Sequence, residues 1–467
     1  TMIVALIIGI AVILPLFALL VNSFLVLDDA GWDTEWGFDN YVTMVTDRII
    51  PKAFLNTLLI SSGSTVVATV LGVSLAWINA RTNCPMRGIL EPYNLIPFFL
   101  SPFVGAIAWH NLASPKTGLL NNWAQEYLWF DGPIFNVDNL WGVIWVTGIF
   151  FAPLVYLFVV GSLRRMDPSL EDSARTTGAG LFRTTMTVTL PLVMPGILSG
   201  AIIVFVTSAG EFGVPFKLSA PYGWETLTTQ IFSKAVGDDA NHYLGAAMSM
   251  ALGIITVFLI WIQQRYIAPR SFTTVTGKGF RPNVLDLGPW KWVAFGYNIT
   301  YIMVAVVLPI LSLIIVSLHP VWTAKIEPSQ MSFINYEKTL FFWREDSIQA
   351  ATNGIFNSFI LAFVGATLAM ILAIVISYMI HRTKSPLARL LDFLSVVPIG
   401  FPGIVLAMGV LVTYIQTPIY ATLWILLLGY VTRFFPTDSG TSHRSCWPFP
   451  KSWIKARACL APVGSPP

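Results

Sequence analysis

Long apolar runs alternate along this chain with short polar segments. Each apolar run holds about twenty residues, the length that an α-helix needs to cross the hydrocarbon core of a bilayer. A helix is the expected form, because it satisfies its own backbone hydrogen bonds where no water is available. The pattern therefore predicts an all-α transmembrane fold, a polytopic helix bundle. Its ten predicted spans lie near residues 2–25, 54–79, 89–111, 139–162, 191–209, 243–265, 293–317, 353–380, 389–414 and 418–435.

The polar segments fall into two sets that differ in charge. One set holds 14 Lys and Arg and only four acidic residues, and it lies near 79–90, 163–190, 264–292 and 381–390. The other set holds 8 Lys and Arg and 17 acidic residues, and it lies near 26–53, 112–138, 210–242 and 318–352. Loops rich in Lys and Arg stay in the cytoplasm, so the first set is predicted to be cytoplasmic.

Residues 56–102 resemble residues 357–403 at a constant offset of 301. The ungapped polar and proline matches include Asn56 with Asn357, Arg81 with Arg382, Pro85 with Pro386 and Pro97 with Pro398. Apolar helices resemble one another by chance, but shared polar positions without a gap favour a duplication. Duplicated membrane halves usually enclose a pathway between them.

The repeat divides the chain into four parts. A first domain of about six spans covers residues 1–266, and a cytoplasmic linker covers 267–292. A second, incomplete domain of about four spans covers 293–436, and an aberrant tail follows at 437–467. The first apolar segment is long enough to span a bilayer and has no cleavage site typical of a signal peptide.

Composition narrows the possible functions. The chain is 55% hydrophobic and 11% charged, whereas about 25% of the residues of a soluble domain are charged. The net charge of +3 does not indicate a nucleic-acid partner. Cys84, Cys446 and Cys459 form neither a C-x-x-C pair nor an even framework, so neither a disulfide scaffold nor a zinc site is predicted.

One cytoplasmic segment, residues 167–191, is polar and basic and is interrupted by glycine; we call it the elbow. Asp167 and Pro168 are typical of a helix start. Glu171 and Arg175 lie one turn apart in the favourable order. Gly178 is predicted to end this short helix, because glycine adopts the left-handed conformation cheaply. A second short segment follows, and Pro191 is predicted to open the next span.

The elbow resembles the cytoplasmic signature of binding-protein-dependent ABC importer permeases, which reads E-A-A, three residues, G, nine residues, I-x-L-P. The spacing is kept, and the departures (Asp for Glu, Ser for Ala, Val for Ile) are conservative. The residues at the motif positions are Asp172, Ser173, Ala174, Gly178, Val188, Leu190 and Pro191.

The resemblance implies that the fold consists of two homologous permease halves of the type I ABC importer class, the second half truncated. It implies that the elbow, including Glu171 and Arg175, is the coupling loop that docks into a separate ABC ATPase subunit, present as a dimer. The further partners that it implies are a periplasmic or lipid-anchored substrate-binding protein and the bilayer of the bacterial inner membrane. This chain would then need no cofactor of its own, since ATP and Mg²⁺ bind to the ATPase.

No motif in the sequence indicates an enzyme. Gly277 and Lys278 could end a phosphate-binding loop, but Phe272 stands where that loop needs glycine. There is no predicted metal site, catalytic triad or pair of intramembrane carboxylates. Glu211, at the outer end of the fifth span, is a candidate outer-gate residue, because an acid near a membrane segment is often functional. An interfacial acid at the start of a loop is the alternative.

The substrate is indicated by resemblance only. The fused layout, the "EFGVP" after the fifth span and the "TVTGKGFRP" of the linker resemble ferric-iron uptake permeases. Related permeases carry thiamine, polyamines or phosphonates, and these remain alternatives. No cluster of Tyr, His and carboxylate residues indicates an iron site, but the binding protein holds the iron in such systems.

The tail from 437 onward lacks the second coupling loop and the two spans that the repeat predicts. Read in the neighbouring frame, its codons can encode a second coupling-loop pattern, so we expect a frameshift near residue 437. Two other classes stay open. An ion-coupled secondary transporter also uses repeats but would carry intramembrane acids. A truncated product would be non-functional.

Overall fold

The computed structural model describes residues 2–27, 34–129, 131–167, 169–237, 240–262, 265, 284–322, 325–341, 348–382 and 387–434. The helices up to residue 262 are α1 (Met2–Ser23), α2 (Asp39–Thr46), α3 (Ile50–Arg81), α4 (Arg87–Phe99), α5 (Pro102–Ala113), α6 (Leu119–Leu128), α7 (Leu140–Arg165), α8 (Ser169–Thr176), α9 (Leu181–Thr184), α10 (Leu190–Ala209), α11 (Gly213–Leu218), α12 (Leu227–Val236) and α13 (His242–Ile262). The later helices are α14 (Lys291–Ile302), α15 (Leu308–Ser317), α16 (Ile334–Leu340), α17 (Gln349–Arg382), α18 (Leu387–Gly400), α19 (Gly403–Tyr414) and α20 (Leu423–Phe434). Strands β1 (Leu25–Leu27) and β2 (Thr34–Trp36) pair antiparallel.

Six helical segments among the described residues are long and apolar enough to cross a membrane. They are Ile50–Arg81, Leu140–Arg164, Thr185–Ala209, His242–Ile262, Gly288–Ser317 and Ala351–Ile380. A seventh candidate is a pair of helices bent at a short break. The predicted all-α polytopic fold is therefore confirmed, and the chain is a multi-pass membrane protein.

The predicted span at 89–111 is not one straight helix. This segment forms α4 and α5, which meet at an angle of 97°. Ser101, between them, is extended, with ψ of 127°. The cause is Pro102, which disfavours helical backbone in the residue before it and lacks the N–H that would continue the helix.

The predicted span at 389–414 is interrupted in the same way, at Phe401 and Pro402, between α18 and α19. Arg433, on α20, reaches this break. Its Nη1 donates to the carbonyl oxygens of Pro398 (2.8 Å) and Phe401 (2.6 Å). These carbonyls lie where the helix stops, so the guanidinium satisfies backbone groups that the break has orphaned.

The helix bounds follow the internal repeat. Adding 301 to Arg81, Phe99 and Ala113 gives the last residues of α17, α18 and α19. Helices α3, α4 and α5 therefore correspond to α17, α18 and α19, with the break at the same place in both. The duplication, inferred from a few polar positions, extends to the three-dimensional structure.

The first helix of each half also packs against the other half. Helix α1 packs against α18 and α19, while α14 and α15 pack against α4 and α5. The second contact is polar in part: the side-chain Nδ2 atoms of Asn79 and Asn94 both donate to Oδ1 of Asn298, at 3.2 and 2.8 Å. Each half thus holds one helix of the other, which ties their positions together.

Close packing of α3 on α7 forms the centre of the first half. A β carbon on Gly72 would lie 2.7 Å from the carbonyl oxygen of Ala152 and 2.7 Å from Cβ of Val155. Small residues allow such approach of backbones in membrane helices, where dispersion contacts replace the hydrophobic effect.

Some predictions fall on residues that the structure does not describe. The linker predicted at 267–292 is described only from 284 onward, and the tail at 437–467 lies wholly outside the described residues. The domain bounds, the frameshift and the truncation of the second half stay predictions.

Candidate coupling elbow and outer gate

Helix α8 of the elbow begins and ends as the sequence predicts. The N–H of Ser169 donates to Oδ1 of Asp167 (2.9 Å) at the start of α8. At the other end Gly178 has φ of +88°. The N–H of Ala179 then reaches back to the carbonyl of Ala174 (3.1 Å), as in a Schellman motif. The turn needs glycine, because other residues strain in this conformation.

Pro191 lies in the first turn of α10, as predicted, but the helical stretch begins earlier. A continuous helical stretch runs from α9 through a π-turn (Thr185–Thr189) into α10. In the π-turn the N–H of Leu190 donates to the carbonyl of Thr185. The π-turn re-spaces the backbone just before Pro191, which has no N–H to donate. The second short segment of the elbow is thus a rigid extension of a membrane helix.

The side of the elbow that packs against the membrane helices is held by a buried ion pair. Oε1 of Glu171 meets Nη2 of Arg81, and both side chains are buried. The same carboxylate oxygen accepts a hydrogen bond from Oγ1 of Thr189 (2.6 Å). The side chain of Arg175, the predicted partner of Glu171, lies outside the described part of the structure. Glu171 is therefore an internal anchor of the elbow.

The opposite side of the elbow is exposed to solvent and partly apolar. Asp172, Ser173 and Gly178 are exposed there. So are Leu170 and Met186, each 46% exposed. Large apolar side chains beside an acid on a cytoplasmic projection are typical of a protein-binding surface. Of the other motif residues, Ala174, Val188 and Leu190 are half-buried and Pro191 is exposed.

A second contact ties the end of α3 to the segment that leads into the second half. The N–H of Leu285 donates to the carbonyl of Arg81 (2.8 Å), and the N–H of Asn83 donates to the carbonyl of Leu285 (3.1 Å). The Asn83 side chain bonds Asp286 through Nδ2 (2.5 Å) and accepts from the N–H of Leu287 (3.1 Å). The elbow and the segment that leads into the second half thus both contact the end of α3, at residues 81–83.

Glu211 lies between the two broken spans. A β carbon on its neighbour Gly210 would lie 2.6 Å from Cβ of Pro402, and one on Gly213 would lie 2.8 Å from Cβ of Phe103. The half-buried carboxylate accepts from the N–H of Gly213 (3.1 Å), and burial raises the pKa of Glu211. The location, where the two halves meet, suits a gate residue.

A polar cluster also closes the side of the molecule predicted to face outward. Nδ1 of His110 lies 2.8 Å from Oδ1 of Asp138, and Oγ of Ser114 donates to its Oδ2 (2.7 Å). Burial raises the pKa of Asp138, but hydrogen bonds from His110, Ser114 and Tyr222 lower it below its ordinary value on balance. Burial and the same carboxylate raise the pKa of Tyr222 to about 12. The cluster joins α5 to the loops before α7 and after α11.

Sequence reasoning missed two arginines, Arg81 and Arg433. Each is a cation at the end of an apolar segment, a position that carries a cost in lipid and therefore has a partner. The energetic cost of such a cation is the feature of the sequence that could have identified both arginines. Among the described residues, no three His, Cys, Asp or Glu side chains come together as metal ligands.

Comparison with known proteins finds relatives of the part of the chain that contains the elbow. Residues 68–273, which include the elbow, match the model of the family described as the binding-protein-dependent transport system inner membrane component. The ferric transport system permease protein FbpB of Actinobacillus pleuropneumoniae is 22% identical over 85% of this chain. The chain spans 57% of the length of that relative.

Two further comparisons concern shorter proteins. The molybdenum transport system permease protein ModB of Escherichia coli K12 is 28% identical, over 44% of this chain and 90% of its own length. The crystal structure of a bacterial alginate ABC transporter with an alginate-bound periplasmic protein aligns at a TM-score of 0.42 and 20% identity, over 51% of this chain and 85% of its own. Residues 68–273 of this chain are therefore similar to the inner membrane components of binding-protein-dependent transport systems.

Proposed function

We propose that this chain is the permease subunit of an ABC importer in the bacterial inner membrane. It moves a small solute into the cytoplasm with energy from ATP that a separate ATPase subunit hydrolyses. ATP and Mg²⁺ bind to that subunit, and a periplasmic or lipid-anchored binding protein delivers the solute. ATP binding closes the ATPase dimer, the elbow moves with it, and the pathway between the halves changes from inward-facing to outward-facing.

The observation that carries this proposal is the two-sided elbow. One side is fixed to the membrane helices through Glu171 and the helical stretch that continues into α10. The other side exposes Leu170, Asp172 and Ser173. A rigid projection that binds a partner on one face and is anchored on the other can transmit displacement into the bilayer.

We propose ferric iron as the substrate. The support is the name of the relatives that match 85% of the chain, together with the "EFGVP" segment around Glu211. The ModB relative, named for molybdenum transport, matches a shorter part. The substrate class therefore has to be tested against thiamine, polyamines and phosphonates.

The test is uptake into proteoliposomes that hold this chain together with the ATPase and binding protein encoded beside its gene. We expect ATP-dependent accumulation of radiolabelled ferric iron that excess thiamine, spermidine or phosphonate does not reduce. Accumulation of one of these competitors in place of iron would replace the substrate assignment.

The coupling role is tested with Asp172→Lys. We expect this variant to lose the co-purifying ATPase, because it places a cation in the first turn of α8 on the exposed face. Asp39→Lys is the matched control: Asp39 is also exposed and also lies in the first turn of a short helix, but on the side predicted to face outward. Retention of the ATPase by Asp172→Lys would contradict docking at this face, and its loss in both variants would indicate a general defect.

A further inference from the structure

We infer that Glu171 is a positioning residue that latches the coupling elbow to α3 and so to the segment leading into the second half. This inference rests on the proposed function. Glu171 transmits displacement inside the permease, while its neighbour Asp172 is exposed on the opposite side of the elbow. The latch consists of Glu171, Arg81 and Thr189.

The burial of the latch separates it from ordinary surface ion pairs. The Arg81 side chain is fully buried, and that of Glu171 is 6% exposed. A buried charge whose partner is removed is left uncompensated, so the pair resists separation far more than an exposed pair does. The carboxylate must therefore move together with the end of α3.

The position of the latch joins three elements at one carboxylate. Glu171 is on α8, Arg81 ends α3, and Thr189 lies in the π-turn that precedes α10. Without the latch, α8 would keep its packing on α9 and the π-turn, but it would lose its charged contact with the end of α3. A displacement of α8 would then be passed to α3 less directly.

The same end of α3 passes the displacement onward. The backbone of Arg81 and Asn83 pairs with Leu285, which lies just ahead of α14. Because α14 packs against α4, the shift reaches the broken span of the first half as well. The two-way pairing at Leu285 links the elbow of the first half to the beginning of the second.

A second Glu–Arg pair on the cytoplasmic side provides a matched control. Glu91 and Arg164 approach to 2.7 Å, with side chains 28% and 46% exposed. This pair joins α4 to the end of α7. Glu91→Gln removes the same charge from the same kind of pair, outside the latch.

The experiment compares Glu171→Gln with Glu91→Gln in the full complex with the ATPase and binding protein. Solute uptake and ATP hydrolysis are measured on the same proteoliposomes. We expect Glu171→Gln to keep the ATPase bound and hydrolysing, while uptake per ATP falls by about two- to thirtyfold, the range for residues that modulate coupling. Glu91→Gln should leave that ratio unchanged. An unchanged ratio in Glu171→Gln overturns the latch.

A second variant covers the case in which Glu171→Gln does not fold. Replacing both charges (Arg81→Met with Glu171→Leu) leaves no unpaired buried charge, and such replacements are often neutral or stabilising. We expect the double variant to fold and bind the ATPase but to remain uncoupled. Uptake per ATP equal to the wild type would show that the pair serves stability alone, which overturns the inference.

Hydrogen–deuterium exchange of the permease alone separates this inference from the proposed function. We expect amides of residues 169–184 to exchange about tenfold faster in Glu171→Gln, because local opening then costs less. Unchanged exchange overturns the latch even if the ATPase docks as proposed. Conversely, a wild-type chain that never binds an ATPase refutes the proposed function while this measurement still decides whether Glu171 holds α8.

Discussion

Replacing Gly72 by alanine tests how closely α3 and α7 pack. The new methyl group would lie 2.7 Å from the Ala152 carbonyl oxygen and from Cβ of Val155, and 2.9 Å from the backbone nitrogen of Tyr156. Ordinary contacts begin at 3.4 Å, so the helices must separate by about 0.7 Å at this point. Two of the three atoms are backbone, so no side-chain rotation relieves the clash.

The magnitude follows from that separation. A radial gap of about 0.5–1 Å already forfeits a quarter to a half of each dispersion contact that it opens. Overpacking of a well-packed site costs about 1–3 kcal/mol, and we expect Gly72→Ala to lie in this range. Dispersion carries much of helix association in a membrane, which favours the upper part of it.

The assay is the free energy of unfolding in mixed micelles, followed by the loss of helical circular dichroism as SDS is added. Gly354→Ala is the control, since Gly354 lies in α17 and a β carbon there meets nothing within 4 Å. That change should be neutral or stabilise by up to about 1 kcal/mol, from helix propensity. Equal stability of Gly72→Ala and the wild type would refute the close approach of α3 and α7.

Three further predictions concern the turn, the break and the outer cluster. Gly178→Ala should cost about 1–2 kcal/mol of local stability, seen as faster amide exchange in residues 169–184, because alanine strains at φ of +88°; Gly180→Ala, in open space, should leave exchange unchanged. Arg433→Met should destabilise by about 1.5–3 kcal/mol in the SDS titration, because two carbonyls at the break lose a charged donor, and an unchanged free energy would remove Arg433 as the cap. The pKa of Asp138 is lowered in the folded state. The contribution of Asp138 to folding stability is therefore present above the ordinary pKa of 3.8, and it is lost as the pH falls through the folded-state pKa. Asp138→Asn should therefore lose less stability than the wild type between pH 5 and pH 3, and parallel pH profiles would contradict the hydrogen bonds that lower the pKa of Asp138.

Periodicity and length predicted the straight spans but not the broken ones. The helices at 50–81 and 140–165 follow from their apolar runs. These runs are long enough to cross a bilayer, regardless of which helices they pack against. The segment 89–111 has the same apolar character, and its break depends on the local backbone around Pro102. Proline in a membrane helix is often tolerated, so hydropathy does not distinguish a kink from a turn of 97°.

The elbow shows the same division between local and distant causes. Asp167 and Gly178 act on their own neighbours, so the bounds of α8 could be predicted from the sequence. Glu171 lies in the elbow, but its partner lies 90 positions earlier in the chain, and nothing in the local pattern identifies Arg81. The repeated position of Arg81 and Arg382 was the available hint, because a cation kept in both halves at a span end is unusual without a partner.

Glycine recurs where the first half contacts the second. On the first half, β carbons on Gly210, Gly245 and Gly253 would each lie within 3 Å of an atom of the second half, in or beside α19. At Gly245 and Gly253 the nearest atoms are ends of side chains, which can rotate away. At Gly210 the nearest atoms belong to the ring of Pro402, which cannot, so a larger residue there must push the broken span of the second half outward. Glu211 follows directly in the chain, and any such movement changes its surroundings first. Glycine at 210 is therefore part of the same contact between the halves as the candidate gate residue Glu211.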